Sequence, residues 1–216
     1  MSLHNLQNAL VEKILTEPAR RKFSIQSAIN DKNYDLDDDE KAWLDMLDDT
    51  TGFKVTCDIQ QWWRLARLKI ATPLTLRMLN QLKLGNFLEE YQACVPCTTL
   101  FFSAEAIALK DFLLTRCADE QHLISIIEFE CALKIAHEYQ YFSSCEMQST
   151  EKLNMDNLLT APATEFVVFY SNPVSLLGTL MTGELVPEIE DNKYTVIISP
   201  LINGYWTIIN NDAALQ

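Results

Sequence analysis

Glu165-Phe166-Val167-Val168-Phe169-Tyr170, Tyr194-Thr195-Val196-Ile197-Ile198-Ser199 and Tyr205-Trp206-Thr207-Ile208-Ile209 are the three runs whose reading decides the fold. Each is dense in β-branched and aromatic side chains, which suit a pleated, buried surface, so each reads as a strand. Pro200-Leu201-Ile202-Asn203-Gly204 separates the last two and supplies the backbone angles of a turn, which makes them a hairpin. Between the first run and the hairpin, residues 173–182 read as a helix, with Pro173 in its first turn and Gly183 just past its end. The predicted order is strand, helix, strand, strand. Three strands cannot close into a barrel, so at least one edge keeps N–H and C=O groups that can hold an extended peptide, unless the preceding helices or residues 211–216 cover it.

Upstream of residue 164 the pattern is helical. Leu3, Leu6, Leu10, Ile14 and Leu15 recur at helical spacing behind Ser2, and Pro18 limits that helix, with Pro18-Ala19-Arg20-Arg21-Lys22-Phe23 starting a second. Residues 30–35 form a polar connection. Asp37, Asp38, Asp39 and Glu40 suit the start of a helix carrying Trp43, Leu44 and Leu47, whereas Asp48 and Asp49 stand at its unfavourable end. This acidic run lacks the spaced ligands, central Gly and terminal Glu of an EF-hand, so it reads as a solvated face rather than a calcium site. Gly52 breaks the chain, Asp58 caps a helix with Ile59, Trp62, Trp63, Leu65, Ala66, Leu68 and Ile70, and Thr72-Pro73 opens another that ends at Gly85. Residues 86–100 are a connection. Ser103 and Asp119 each begin a long helix, the second with Leu123, Ile127, Ala132, Ile135 and Tyr139 in register. Residues 143–157 are weakly patterned and read as a linker, which gives a helical domain over 1–145 and a strand-helix-hairpin domain over 155–216. The fold class is therefore α+β: a helical N-terminal part followed by a small, three-stranded, mostly antiparallel sheet with one helix.

Composition narrows the function. With 48% hydrophobic and 22% charged residues, no long apolar run and no signal-like start, the 216-residue chain reads as a cytoplasmic globular protein without a membrane span. Its net charge of −13, from 30 acidic and 17 basic residues, repels nucleic acid and attracts a basic peptide or protein face. Against that background Arg64, Arg67, Lys69, Arg77 and Lys83 fall between Ile59 and Leu88 with no acid among them. The local reversal of sign suits salt bridges to the acidic helices or a protein docking face.

Catalytic chemistry finds little support. His122 and His137 are fifteen residues apart on one predicted helix, more than ~20 Å at 1.5 Å per residue, so they cannot share a metal. Cys94-Val95-Pro96-Cys97 has no second pair at zinc-finger spacing and no βαβ unit around it. Cys131 with His137 lacks a third group to orient the base. Five glycines are too few and too scattered for a phosphate-binding loop. No catalytic residue and no metal ligand is assigned. Two alternatives stand beside an interaction protein: a metal or thiol enzyme using Cys94, Cys97 and His122 or His137, and an acidic regulatory or immunity protein acting through residues 37–49.

A family resemblance adds detail. Arg64-Leu65-Ala66-Arg67, Thr72-Pro73-Leu74-Thr75-Leu76-Arg77, Phe87-Leu88-Glu89-Glu90-Tyr91, Ala104-Glu105-Ala106, Phe112-Leu113-Leu114 and Ile126-Ile127-Glu128-Phe129-Glu130-Cys131-Ala132-Leu133 carry it. Leu6-Gln7, Pro18 to Phe23, Phe169-Tyr170-Ser171-Asn172-Pro173 and Gly183-Glu184-Leu185-Val186-Pro187 extend it. In this order they resemble the small partner proteins of multinuclear non-haem iron oxidative enzymes that modify ribosomally made peptides. Length and terminal sheet are most similar to the family of C proteins of methanobactin biosynthesis. The resemblance implies a heterodimer with a TIM-barrel enzyme that holds the iron, so that this chain carries no cofactor. It also implies binding of the leader of a precursor peptide, whose cysteines the complex converts to oxazolone and thioamide groups of a copper chelator. A Lys-rich leader suits the charge of this chain. For peptide binding the candidate residues are Phe166 and Val168 on the first strand, Tyr194, Val196 and Ile198 on the second, and Tyr205 and Trp206 on the third; the preferred edge is the first or second strand. For partner docking the candidates are Trp62, Arg64 and Arg67.

Overall fold

A computed structural model of the chain describes residues 3–23, 34–95, 101–143, 158 and 160–209, with the backbone alone for 15–23. Among them are helices α1 (Leu3–Phe23), α2 (Asp38–Leu47), α3 (Thr51–Ala71), α4 (Pro73–Gln81), α5 (Asn86–Cys94), α6 (Phe102–Arg116), α7 (Gln121–Ser143) and α8 (Pro173–Thr182), and strands β1 (Glu165–Phe169), β2 (Tyr194–Ile198) and β3 (Trp206–Ile209). The α+β class and the helical N-terminal part are as the sequence predicts. Several boundaries differ for local reasons. Helix α1 continues through Pro18 to Phe23; a proline removes one N–H donor, and the bonds on either side carry the helix across it. Helix α3 begins at Thr51, with the Phe53 N–H donating to the Thr50 hydroxyl at 3.3 Å. Gly52 therefore lies in its first turn and Asp58 in its interior. Helix α4 ends at Gln81 because Lys83, not Gly85, takes the left-handed conformation (φ 57°), while Leu84 N–H donates to the Leu79 carbonyl at 2.8 Å. Residues 86–94 are helical rather than a connection.

The chain separates into two compact units, one of residues 1–67 with 86–99 and one of residues 68–85 with 100–216. This partition differs from a boundary at the predicted linker, whose residues beyond Ser143 lie outside the described ones up to 157. The reason is that the sheet packs on α7, so helices and strands share a core.

In the first unit α1 packs against α5, and Leu44, Phe53, Cys57 and Tyr91 are buried. The acidic helix α2 is fastened by a capping box: Glu40 N–H donates to the Asp37 carboxylate at 2.8 Å, and Asp37 N–H donates to the Glu40 carboxylate at 3.0 Å. Lys13 on α1 meets Asp48 at 2.9 Å and Asp45 at 3.8 Å. Several acids of residues 37–49 thus have structural partners.

The second unit is built around α7, which contacts α4, α6, β1 and β2. Leu123, Ile126, Ile127, Phe129, Cys131, Ala132 and Ala136 are all buried; a helix covered on several sides reads as apolar almost all round. The sheet has the order β1-β2-β3, antiparallel throughout, with Val167 opposite Val196 and Ile198 opposite Trp206. Paired residues share a face, so Val167, Phe169, Val196, Ile198 and Trp206 lie on one side. That side meets α7, where the Phe129 ring stands edge-on to Phe169 at 5.7 Å and to Trp206 at 5.5 Å. On the opposite side Ile197 is buried with Leu158 and Ile202. Helix α8 starts at Asn172, whose side chain accepts from Val174 and Ser175 N–H, and ends at Gly183 in the left-handed region (φ 81°). The Arg77 guanidinium of α4 donates to the Leu180 and Met181 carbonyls at its C-terminus, at 2.8 and 2.6 Å.

Candidate functional site

Strand order decides which backbone groups are open. β2 is the middle strand, paired on both sides, so Tyr194, Val196 and Ile198 cannot form a binding edge, and Val196 and Ile198 are fully buried. The sequence expectation for β2 is thereby corrected. Hairpin strands are short-range neighbours, but the partner on the far side of β2 is β1, contributed from across α8, and no local pattern announces it.

β1 is an edge whose second half is occupied. Its register turns the backbone groups of Phe166 and Val168 away from β2. The Val168 carbonyl accepts from the Ser125 hydroxyl of α7 at 2.7 Å, and the Tyr170 carbonyl accepts from Glu190 N–H at 2.7 Å. The Phe166 and Val168 side chains, 42% and 38% exposed, lie on the sheet face away from α7. Beside the start of β1 is a recess of about 130 Å³ lined by Lys110, Glu128, Cys131, Glu165 and Phe166 among others. Burial raises the Glu128 carboxyl above its ordinary range, with Lys110 opposing and Glu165 adding to the rise. Burial also pushes the Cys131 thiol up to about 12, which keeps it protonated and unsuited to attack.

β3 is the other edge. Ser199 N–H donates to the Tyr205 carbonyl at 2.8 Å, so along the strand the groups of Tyr205, Thr207 and Ile209 face β2 and those of Trp206 and Ile208 face outward. Among the described residues none pairs with the backbone of Trp206 or Ile208; residues 211–216, which could cover an edge, lie outside the described ones. Tyr205 precedes the strand instead of starting it, because its φ of 71° belongs to the turn with Gly204. Its hydroxyl donates to Gln140 Oε1, and its ring lies 5.4 Å from that of His137.

Next to Tyr205 and Phe129 runs a groove of about 350 Å³, walled by Leu74, Leu133 and Met181, with Glu130, Lys134 and His137 along α7. Glu130 is 4% exposed and closes the groove against the N-terminus of α4. Its carboxyl accepts from Leu74 N–H and Thr75 N–H, each at 2.8 Å, and from the Thr75 hydroxyl at 2.7 Å. Burial raises its pKa to about 7, against those three bonds and the Lys134 charge. Sequence reading missed Glu130. An acid within an apolar helical stretch was its one local signal, and its partners are more than fifty positions away.

The docking candidates divide. Trp62 is 62% exposed, whereas Arg64 and Arg67 are buried. The Arg64 guanidinium donates to the Gln92 carbonyl at 3.3 Å and lies over the Tyr91 ring at 5.1 Å, fastening α5. At 100° per residue, Val55, Ile59, Trp62 and Trp63 fall on one side of α3, and Phe53, Cys57, Arg64 and Arg67 on the other. All four of the former are exposed, with the Trp62 and Trp63 rings edge-to-face at 5.1 Å. Arg64 and Arg67 are therefore corrected to structural residues, and Val55, Ile59 and Trp63 join Trp62 on the outward stripe.

The enzyme candidates are not brought together. His122 Nε2 donates to the Pro187 carbonyl at 3.1 Å near one end of α7, and His137 lines the groove near the other. Cys131 lines the recess at β1, away from the groove with His137. Cys94 is exposed at the end of α5, and Cys97 lies outside the described residues. Among the described residues no three His, Cys, Asp or Glu side chains converge as a metal site, and no helix is long and apolar enough to cross a membrane. No family model, characterised protein or solved structure matches the chain.

Proposed function

We propose that this chain is a non-catalytic subunit that holds an extended precursor peptide along β3 and docks on a separate TIM-barrel iron oxidase, in keeping with the resemblance of its sequence to such partner proteins. On this reading the partner supplies the iron and converts peptide cysteines to oxazolone and thioamide groups of a copper-chelating, methanobactin-type product. The observation that carries the proposal is the β3 edge. Outward N–H and C=O groups at Trp206 and Ile208 match the hydrogen bonding of an added strand, and the net charge of −13 attracts a Lys-rich segment to the chain as a whole. The outward stripe of α3 supports docking, since paired tryptophans bury a large area at low entropic cost and recur at the centres of interfaces.

The test is co-expression with a barrel-type iron enzyme and a Lys-rich, Cys-containing peptide. A ternary complex is expected, with iron in the enzyme. Ile208→Pro removes an outward N–H at an edge, where proline is tolerated; peptide affinity should fall at least about tenfold, while the circular dichroism spectrum stays unchanged. Oxidation of the peptide by the isolated chain, or undiminished binding by a folded Ile208→Pro variant, would sink the proposal.

A further inference from the structure

The groove beside β3 has a second character that strand addition leaves unused. Its wall is apolar, through Leu74, Phe129, Leu133 and Met181. Its polar groups are unequal in availability. Glu130 spends its carboxyl on three hydrogen bonds to the start of α4, and Tyr205 donates its hydroxyl to Gln140. What remains open toward the groove is the Lys134 ammonium and the His137 ring, three residues apart on α7. Among the described residues no carboxylate stands within 4.0 Å of either. Glu130, one turn before Lys134 and lining the same groove, acts on it through charge alone, its oxygens being held by Leu74 and Thr75, so the ammonium stands over an apolar wall without an anion in contact and suits a ligand that brings its own. At about 350 Å³ the groove is at the small end of ligand sites, which run from ~300 to ~1,000 Å³.

We propose that this groove binds a small amphipathic carboxylate, its alkyl or aryl body against Leu74, Phe129, Leu133 and Met181 and its carboxylate at Lys134 and His137. The ammonium contributes charge-assisted hydrogen bonds, and the imidazole donates one more. Bulk and charge both select: a neutral alcohol of equal length keeps the apolar contacts and loses the anchor, and an amine is repelled by Lys134. This site is independent of the peptide-holding role, because a chain unable to bind peptide still presents the same groove.

The experiment is an NMR titration of the full chain with octanoate, octanol and octylamine, compared with Lys134→Gln and His137→Gln variants whose fold is verified by circular dichroism. Octanoate should move the amide resonances of Leu133, Lys134 and Tyr205 and bind about tenfold more tightly than octanol. Lys134→Gln should remove that advantage, about tenfold in Kd, and leave octanol unchanged. Equal or tighter binding of octylamine, unchanged octanoate affinity in folded Lys134→Gln, or shifts confined to residues away from the groove would overturn the assignment.

Discussion

Replacing Glu130 with glutamine should lower stability at every pH, through the lost bond from Leu74 N–H, and should also remove a pH dependence of stability. The carboxyl has a pKa of about 7 in the folded chain against an ordinary 4.5. Between those values the folded state keeps a proton that the unfolded state has released, so stability is fully present below pH 4.5 and is lost as pH rises through 7. That difference, at ~1.36 kcal/mol per pH unit, amounts to roughly 3 kcal/mol. Self-repulsion in a chain of net charge −13 pushes in the same direction, so the informative quantity is the difference between the two proteins. Glu130→Gln has no proton to lose; its one carbonyl oxygen can replace the oxygen that accepts from the Thr75 N–H and hydroxyl, while the bond from Leu74 N–H to the other oxygen is lost. Urea unfolding at pH 4, 5, 6, 7 and 8 should show the original protein losing roughly 3 kcal/mol more than the variant across the range. Parallel curves would refute the argument. A gain of stability with pH relative to the variant would mean that three hydrogen bonds at a helix N-terminus outweigh desolvation and keep Glu130 ionised throughout.

Other substitutions probe separate links. Arg64→Ala removes the bond to the Gln92 carbonyl and the contact with Tyr91, so chemical denaturation should show a loss of about 1–3 kcal/mol. Trp62→Ala with Trp63→Ala removes two exposed rings and should alter unfolding free energy by less than ~1 kcal/mol while abolishing co-purification with the partner enzyme. Lys83→Gly relieves a positive φ of 57° and should raise stability by about 0.5–1 kcal/mol, read as a higher melting temperature.

What the sequence alone determined is what lies within a few residues of itself. The Pro173 start and Gly183 end of α8, the acidic start of α2, and the three strands with their hairpin follow from local geometry, helix-end charge and side-chain branching. The misreadings at Gly52, Asp58 and Gly85 share a cause, since these are breakers or caps by type and lost to stronger neighbours at Thr50 and Lys83. Tertiary structure decided the rest. Pairing of β1 with β2 made β2 the middle strand and moved the candidate edge to β3. Packing of α5 turned Arg64 inward and left the tryptophans facing out. Glu130 acquired its role from the start of α4, 55 residues away from its Thr75 partner. Local propensity acts through bonds spanning three or four positions, whereas edge, face and burial depend on which distant surfaces meet, and a single chain states that only once it is folded.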